Sequence, residues 1–267
     1  MSPSPTILIF DSGLGGLTVH REVAAARPDA RLVYAADDAA FPYGPMEESR
    51  LVARVIAVIG ALIRKYKPDV AVIACNTAST IVLPEMRARF TLPFVGTVPA
   101  IKPACAASAS KRVSVLGTEA TVKREYTRDL IRQFANGVDV TLVGSARLAR
   151  YAEAELRGHA LPDNAVAEEI AGCFIESDGQ RTDTVVLACT HYPLLQHRFR
   201  RSQPWPVTYL DPAPAIARRV GQLLGPPKTM ETAPSAQMVT TLGQKPPPEL
   251  AKALLAFGIN EFDAIEV

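Results

Sequence analysis

Residues 183–193 read DTVVLACTHYP, and residues 69–79 read DVAVIACNTAS. Laid over each other they place Asp69 on Asp183, Ala74 on Ala188 and Cys75 on Cys189, an offset of 114 residues. Each is an unbroken apolar run rich in Val, Ile and Leu that ends in Ala-Cys and continues with small hydrogen-bonding residues. Such a run, bounded by turn signals, reads as a strand buried on both faces, the kind found in parallel sheets. A second correspondence at a nearby offset lays ILIFDSG (7–13) on VSVLGTE (113–119) and puts Ser12 on Thr118. Ligands in open α/β sheets bind beyond the carboxyl ends of the strands. Two halves built alike therefore bring two thiols to one crevice.

Working outward, strands are predicted over 6–10, 31–35, 70–74, 93–96, 112–116, 139–143 and 184–188, with weaker ones over 207–210 and 238–241. Helices are predicted over 51–65, 121–134, 165–177, 213–224 and 248–257. This alternation defines an α/β protein with mainly parallel sheets. The aperiodic GPPKTMETAPSAQ at 225–237 reads as an exposed connection. At 267 residues, the chain has room for one large domain or two smaller ones.

The 29 Lys and Arg, against 27 Asp and Glu, are spread along the chain, so no nucleic-acid partner is expected. The densest basic stretch, HRFRR at 197–201, reads as a solvated helix face. No apolar run is long enough to span a membrane, and MSPSPTILIF lacks the basic n-region of a secretory signal, so a cytoplasmic location is expected. The four cysteines are expected to be reduced. There is no CxxC and no zinc-ligand spacing, so no metal is expected. Cys105 and Cys173 fall on helical stretches and read as small buried hydrophobes.

The glycines of FDSGLGGLTV (10–19) approximate a dinucleotide fingerprint, but the last glycine is missing and Asp11 would face the pyrophosphate. A tight strand-to-helix turn fits better, with the amides of Gly13, Gly15 and Gly16 open to a small anion such as a carboxylate, and with Asp11 and Ser12 aimed into the site. The competing reading makes Asp11 or Ser12 a helix cap. A catalytic thiol needs a partner that eases thiolate formation; Asp11 and His191 are the candidates. A Ser/His or Cys/His hydrolase would use one nucleophile and leave the second Ala-Cys unexplained, and no GxSxG elbow is present.

In order along the chain, FDSGLGGLTV, FPYG (41–44), ACNTAS (74–79), GTEATV (117–122) and ACTHYPLL (188–195) resemble the signature stretches of the cofactor-independent glutamate racemases of the aspartate/glutamate racemase superfamily. The resemblance implies two pseudo-symmetric, doubly wound α/β domains, 1–97 plus 209–267 and 98–208, with the active site in the interdomain crevice. It makes Cys75 and Cys189 the two acid/base thiols, with Asp11 serving the first and His191 the second. It also makes Asp11, Ser12, Tyr43, Gly44, Asn76, Thr77, Thr121, Thr190 and His191 contact the substrate or tune the thiols, and places Glu153 near the substrate's amino group. In one place the chain departs from the pattern. SARLARYAE (145–153) stands where the family has a CPxxVPxVE-like run, without the Cys or either Pro, and with Arg147 and Arg150 instead. The implied protein is a homodimer that uses no cofactor and supplies D-glutamate for peptidoglycan. Racemisation of aspartate or another amino acid, or an inactive carboxylate-binding role, are the alternatives.

The chemistry suits two thiols. Inverting a stereocentre means taking the α-hydrogen from one face and returning a proton to the other, which two groups can do without moving the substrate. No pyridoxal-binding lysine is evident, so backbone amides and the side chains of Asn76, Thr77 and Thr190 are expected to stabilise the carbanion.

Overall fold

The computed structural model describes residues 4–162, 164–228 and 235–267. The centre of the connection expected over 225–237 lies outside them. The chain begins β1 (Thr6–Asp11), α1 (Leu17–Ala26), β2 (Arg31–Ala36), α2 (Glu48–Tyr66), β3 (Val70–Ile73), α3 (Asn76–Arg89) and β4 (Phe94–Gly96). It continues with α4 (Ile101–Ala107), β5 (Arg112–Thr118), α5 (Glu119–Lys123), α6 (Glu125–Phe134), β6 (Asp139–Ser145), α7 (Leu148–Leu156) and α8 (Ala165–Ile170). A small hairpin, β7 (Glu176–Ser177) and β8 (Gln180–Arg181), precedes β9 (Thr184–Ala188), α9 (Gln196–Ser202), β10 (Thr208–Leu210) and α10 (Ala213–Leu224). Last come β11 (Ala236–Thr240), α11 (Pro248–Leu255) and β12 (Ile259–Ala264).

The strands form one six-stranded sheet, β12-β11-β2-β1-β3-β4, and one four-stranded sheet, β10-β9-β5-β6, both wholly parallel. Each is covered on both faces, as the unbroken apolar strands require. Ile7 and Ile9 of β1 face a core shared with α1, α10 and α11, while Leu8 and Phe10 face α2 and α3. In the second sheet Val185 and Leu187 face α7, α8 and α9, and Val186 and Ala188 face α4. The C-terminal segment returns to the first sheet through β11 and β12. Strand β10 (Thr208–Leu210) pairs with β9 at the edge of the second sheet.

The repeat holds down to strand register. Phe10 pairs with Ile73 in the first sheet, and their counterparts Leu116 and Leu187 pair in the second. The strand order β2-β1-β3-β4 has its counterpart in β6-β5-β9-β10. The two aspartates of the repeat share a task as well. Asp69 accepts from the Thr6 amide at the start of β1, and Asp183 from the Ser110 amide just before β5, both at 2.8 Å. Matched register brings Cys75 and Cys189, each just beyond its strand, to equivalent sheet edges.

Some elements differ from those predicted. The helix expected over 121–134 is broken at Arg124, whose extended backbone separates α5 from α6. The helix expected over 165–177 ends at Ile170 and passes through a short 3-10 turn that carries Cys173 into the hairpin. Helices α3 and α7 and the edge strand β12 have weak sequence signals, whereas α1, α4 and α9 fall where a strand-to-helix turn, the stretch around Cys105 and residues 197–201 read as helical. In α3 the β-branched run and Pro84 lower helix propensity, and burial of Ala78, Val82 and Met86 overrides it.

His20 of α1 is fully buried against Tyr34, with ring centroids 6.1 Å apart, and neither ring nitrogen has a partner. Burial lowers its pKa from 6.5 to about 4. The unfolded chain therefore binds a proton that the folded chain refuses as pH falls from 6.5 to 4. This group's contribution to stability is fully present above pH 6.5 and declines below it, by about 2 kcal/mol at pH 5. His20→Phe is expected to flatten the dependence of melting temperature on pH between 7 and 5; an unchanged slope would show that His20 does not cause it.

Candidate active site

The candidate site residues stand at strand ends. Strand β3 delivers Cys75, which occupies the N-cap position of α3. Unpaired amides at a helix N-terminus favour negative charge, and one of them, from Ala78, hydrogen-bonds the sulfur. Strand β9 delivers Cys189, followed by Thr190 and His191. Strand β1 ends at Asp11, and the loop after it crosses to the second sheet's residues. Both cysteines are buried, at 5% and 6% exposure, and all four cysteines of the chain are unpaired.

Between the two sheets lies a cavity of about 20 Å³, lined by Ser12, Tyr43, Gly44, Cys75, Asn76, Thr77, Cys189, Thr190 and His191 together with Phe41, Pro42, Thr118 and Ala149. It has room for about one water molecule. A wider opening of about 360 Å³ leads off it, sharing Pro42, Gly44, Thr118 and Ala149. Among the described residues, no group of three His, Cys, Asp or Glu is placed to hold a metal ion.

The two thiols have unlike surroundings. Cys75 Sγ lies 3.7 Å from the Ser12 hydroxyl, which in turn approaches Asp11 Oδ1 at 3.4 Å. Burial, reinforced by the Asp11 carboxylate, pushes the Cys75 thiol up to about 12. Cys189 Sγ lies 3.8 Å from His191 Nδ1, and His191 Nε2 lies 3.1 Å from Glu153 Oε1. Burial opposes a charged His191, yet its bonds to Cys189 and Glu153 win and hold its pKa well above the ordinary value. Glu153 is raised by burial but lowered further by His191 and the Leu14 amide, so its carboxyl sits below the usual range. An imidazolium beside Sγ is the kind of partner that a thiolate needs. The Gly15 amide approaches the same Nε2 at 3.2 Å. A neutral ring can accept from Gly15 there, and a protonated ring donates to Glu153.

The amides of Gly15 and Gly16 are not left open to a ligand, contrary to expectation. Leu14 N–H donates to Glu153 Oε1 at 2.6 Å, Gly15 N–H points at His191, and Gly16 N–H donates to Asp11 Oδ2. Asp11 also accepts from the Ser12 amide at 2.7 Å and from the Thr190 hydroxyl at 3.0 Å, and so ties the two sheets together from below the cavity. Neither Asp11 nor Ser12 caps α1, whose N-cap is Gly16. The glycines serve close approach instead. None has a positive φ, and a methyl on Gly15 would run into the His191 ring and the Thr190 hydroxyl.

Tyr43 lines the cavity, but its hydroxyl donates to buried Asp37 at 2.5 Å, which Arg54 and Thr241 also hold. Phe41 from the same FPYG loop rests on the His191 ring, with centroids 5.4 Å apart. Asn76 is buried at the cavity, and neither of its amide atoms has a protein partner. Thr121 stands one hydroxyl behind the lining, 2.9 Å from Thr118 Oγ1. Glu153 likewise sits behind His191, away from the cavity wall. Thr118 is a lining residue that the sequence reading did not single out, although the repeat that lays Ser12 on it carried the signal. The departing SARLARYAE stretch is anchored by local pairs. Ser145 Oγ accepts from the Arg147 and Leu148 amides at the start of α7 and donates to Glu169, and Arg147 grips Glu169 at 2.6 Å.

Glu153→Gln keeps the shape and removes the charge that holds the His191 proton. The expected result is a kcat roughly tenfold to a hundredfold lower, with the alkaline limb of the kcat–pH profile moved to lower pH. An unmoved limb would show that Glu153 does not set the protonation of His191.

Two parallel α/β sheets share a crevice, with a buried thiol at each matched strand end and a different set of polar neighbours for each. The Asp/Glu/Hydantoin racemase family model matches residues 17–220. The glutamate racemase of Brucella anthropi is 58% identical over 226 residues, covering 84% of this chain and 81% of the relative. That of Sinorhizobium fredii is 52% identical over 255 residues, covering 95% and 96%. The crystal structure of Escherichia coli glutamate racemase with L-glutamate and the activator UDP-MurNAc-Ala superposes with a TM-score of 0.90 at 38% identity, covering 99% of each chain. The chain belongs to the Asp/Glu/hydantoin racemase family, as the motifs implied, and is an isomerase of the glutamate racemase type.

Proposed function

We propose that this chain interconverts L- and D-glutamate by two-base proton transfer between Cys75 and Cys189. The observation that carries this reading is the pair of buried thiols at register-matched strand ends, facing one cavity from opposite sheets. In each direction one sulfur, as thiolate, takes the α-hydrogen, and the other, as thiol, returns a proton to the opposite face. Cys189 has His191 and Glu153 to take up charge, while Cys75 has the α3 N-terminus. The substrate carboxylate sits at that N-terminus, against the free amide of Asn76 and the Thr77 and Thr190 hydroxyls, where developing negative charge finds fixed donors. Asp11 offsets the ammonium charge from beneath.

D-glutamate would serve peptidoglycan synthesis. A cytoplasmic homodimer completes the reading, in keeping with four reduced thiols and with the lack, among the described residues, of any helix long and apolar enough to cross a membrane. Light scattering during gel filtration measures the oligomer. The substrate is tested by following circular dichroism of L- and D-isomers of glutamate, aspartate and other amino acids without added cofactor. Racemisation of glutamate well above the rest is expected; a stronger signal with aspartate would overturn the assignment.

A further inference from the structure

Beside the packing of Phe41 on His191 and of α11 on α7, two groups of hydrogen bonds join the two sheets' units. The first joins the β1 loop to Glu153, Thr190 and His191, and consists of groups that hold the proton partners. The second lies by α3. There Thr77 Oγ1 meets Thr118 Oγ1 at 3.4 Å, and the Arg124 side chain crosses from the α5–α6 junction. Its Nη1 donates to the Thr77 carbonyl and to the Thr80 hydroxyl, both at 2.6 Å. Arg124 touches neither thiol nor any lining side chain other than through Thr77. It is half-buried, and it occupies the one residue at which the expected single helix is interrupted, a break that turns its side chain toward α3.

We infer that Arg124 is the latch that closes this site, a positioning residue that fixes the first turn of α3, and with it Cys75 and Asn76, against the second unit. The closed cavity of about 20 Å³ is too small for an amino acid, so α3 and the second unit must part for each substrate to enter and each product to leave. The wider opening lies beside this contact, lined by Thr118, Glu119 and Lys123 just before Arg124. A charge-assisted bond to two neutral acceptors is strong enough to favour closure and weak enough to break on every turnover. Closing by Arg124 leaves the Glu153–His191–Cys189 chain within the second unit undisturbed, so its removal should act on access and affinity before chemistry.

The kinetic part of the test rests on the glutamate racemase reading; the access part does not. Without substrate, the alkylation rates of Cys75 and Cys189 by iodoacetamide, read peptide by peptide by mass spectrometry, report how often the site opens. Arg124→Gln is expected to raise both about tenfold, and Thr80→Val, which removes one acceptor, about threefold. Because the empty closed state excludes substrate, KM for glutamate should fall by the factor by which that state is lost, with a smaller change in kcat, and Arg124→Lys should restore part of the wild-type value. Near-UV circular dichroism of each variant checks that it is folded. Unchanged alkylation in folded Arg124→Gln and Thr80→Val would overturn the latch. A wild-type chain that does not racemise glutamate would overturn the substrate reading, with the alkylation result still deciding the latch.

Discussion

Cys75→Ala and Cys189→Ala are each expected to lower racemisation by about 10³-fold or more, with folded, soluble protein in both cases. The expectation follows from the two-face requirement. Either thiol alone can reach only one face of Cα, and no other group lining the cavity is a proton donor of matched strength. His191 is the nearest substitute, but its Nδ1 is turned to Cys189 and its Nε2 to Glu153. The side chains removed are small, so the loss of packing should cost only about 1 kcal/mol. The two variants should differ in their pH response. Without Cys189, His191 loses one of the bonds that raise its pKa, so only that variant should show a lowered histidine pKa by NMR titration. Near-normal racemisation by either variant would end the two-thiol account.

Gly15→Ala should lower kcat by about 10²-fold, since displacing a catalytic group by about 1 Å can have that effect. The added methyl has no free space. It meets the His191 ring and the Thr190 hydroxyl, and relief requires one of them to move away from Cys189 or Asp11. Gly15 has an ordinary φ, so its backbone is not strained, but the buried overlap should cost about 1–3 kcal/mol and lower the melting temperature by several degrees. A variant with normal kcat would mean that the loop yields and that the β1 loop does not set the position of His191.

Much of this site is visible in the sequence because it lies at strand ends. Unbroken apolar runs give the parallel strands, and a repeat at two nearby offsets matches β1 with β5 and β3 with β9, so the two cysteines are matched before any coordinates are known. What the sequence withholds depends on three-dimensional partners. The glycines of FDSGLGG suggest open amides, yet Gly15 N–H points at His191 from the other sheet, Gly16 N–H donates to Asp11, and the Leu14 amide between them is taken by distant Glu153. Glu153 carries the same residue type wherever it stands; only the fold puts it behind His191 rather than in front of the substrate. The Arg124 break follows the same rule. Residues 121–134 have helical composition throughout, yet Arg124 stands extended between α5 and α6 with its guanidinium on Thr77 and Thr80 of α3.

The central claim is that two different groups handle the α-proton, one on each face. Racemisation of L-glutamate in D₂O, sampled in the first few per cent of conversion by mass spectrometry, tests it most directly. The account predicts that the D-glutamate formed carries deuterium at Cα while the remaining L-glutamate stays unlabelled, because the group that takes the hydrogen is not the one that returns it. D-glutamate retaining its original hydrogen, or L-glutamate gaining deuterium as fast as product forms, would contradict it.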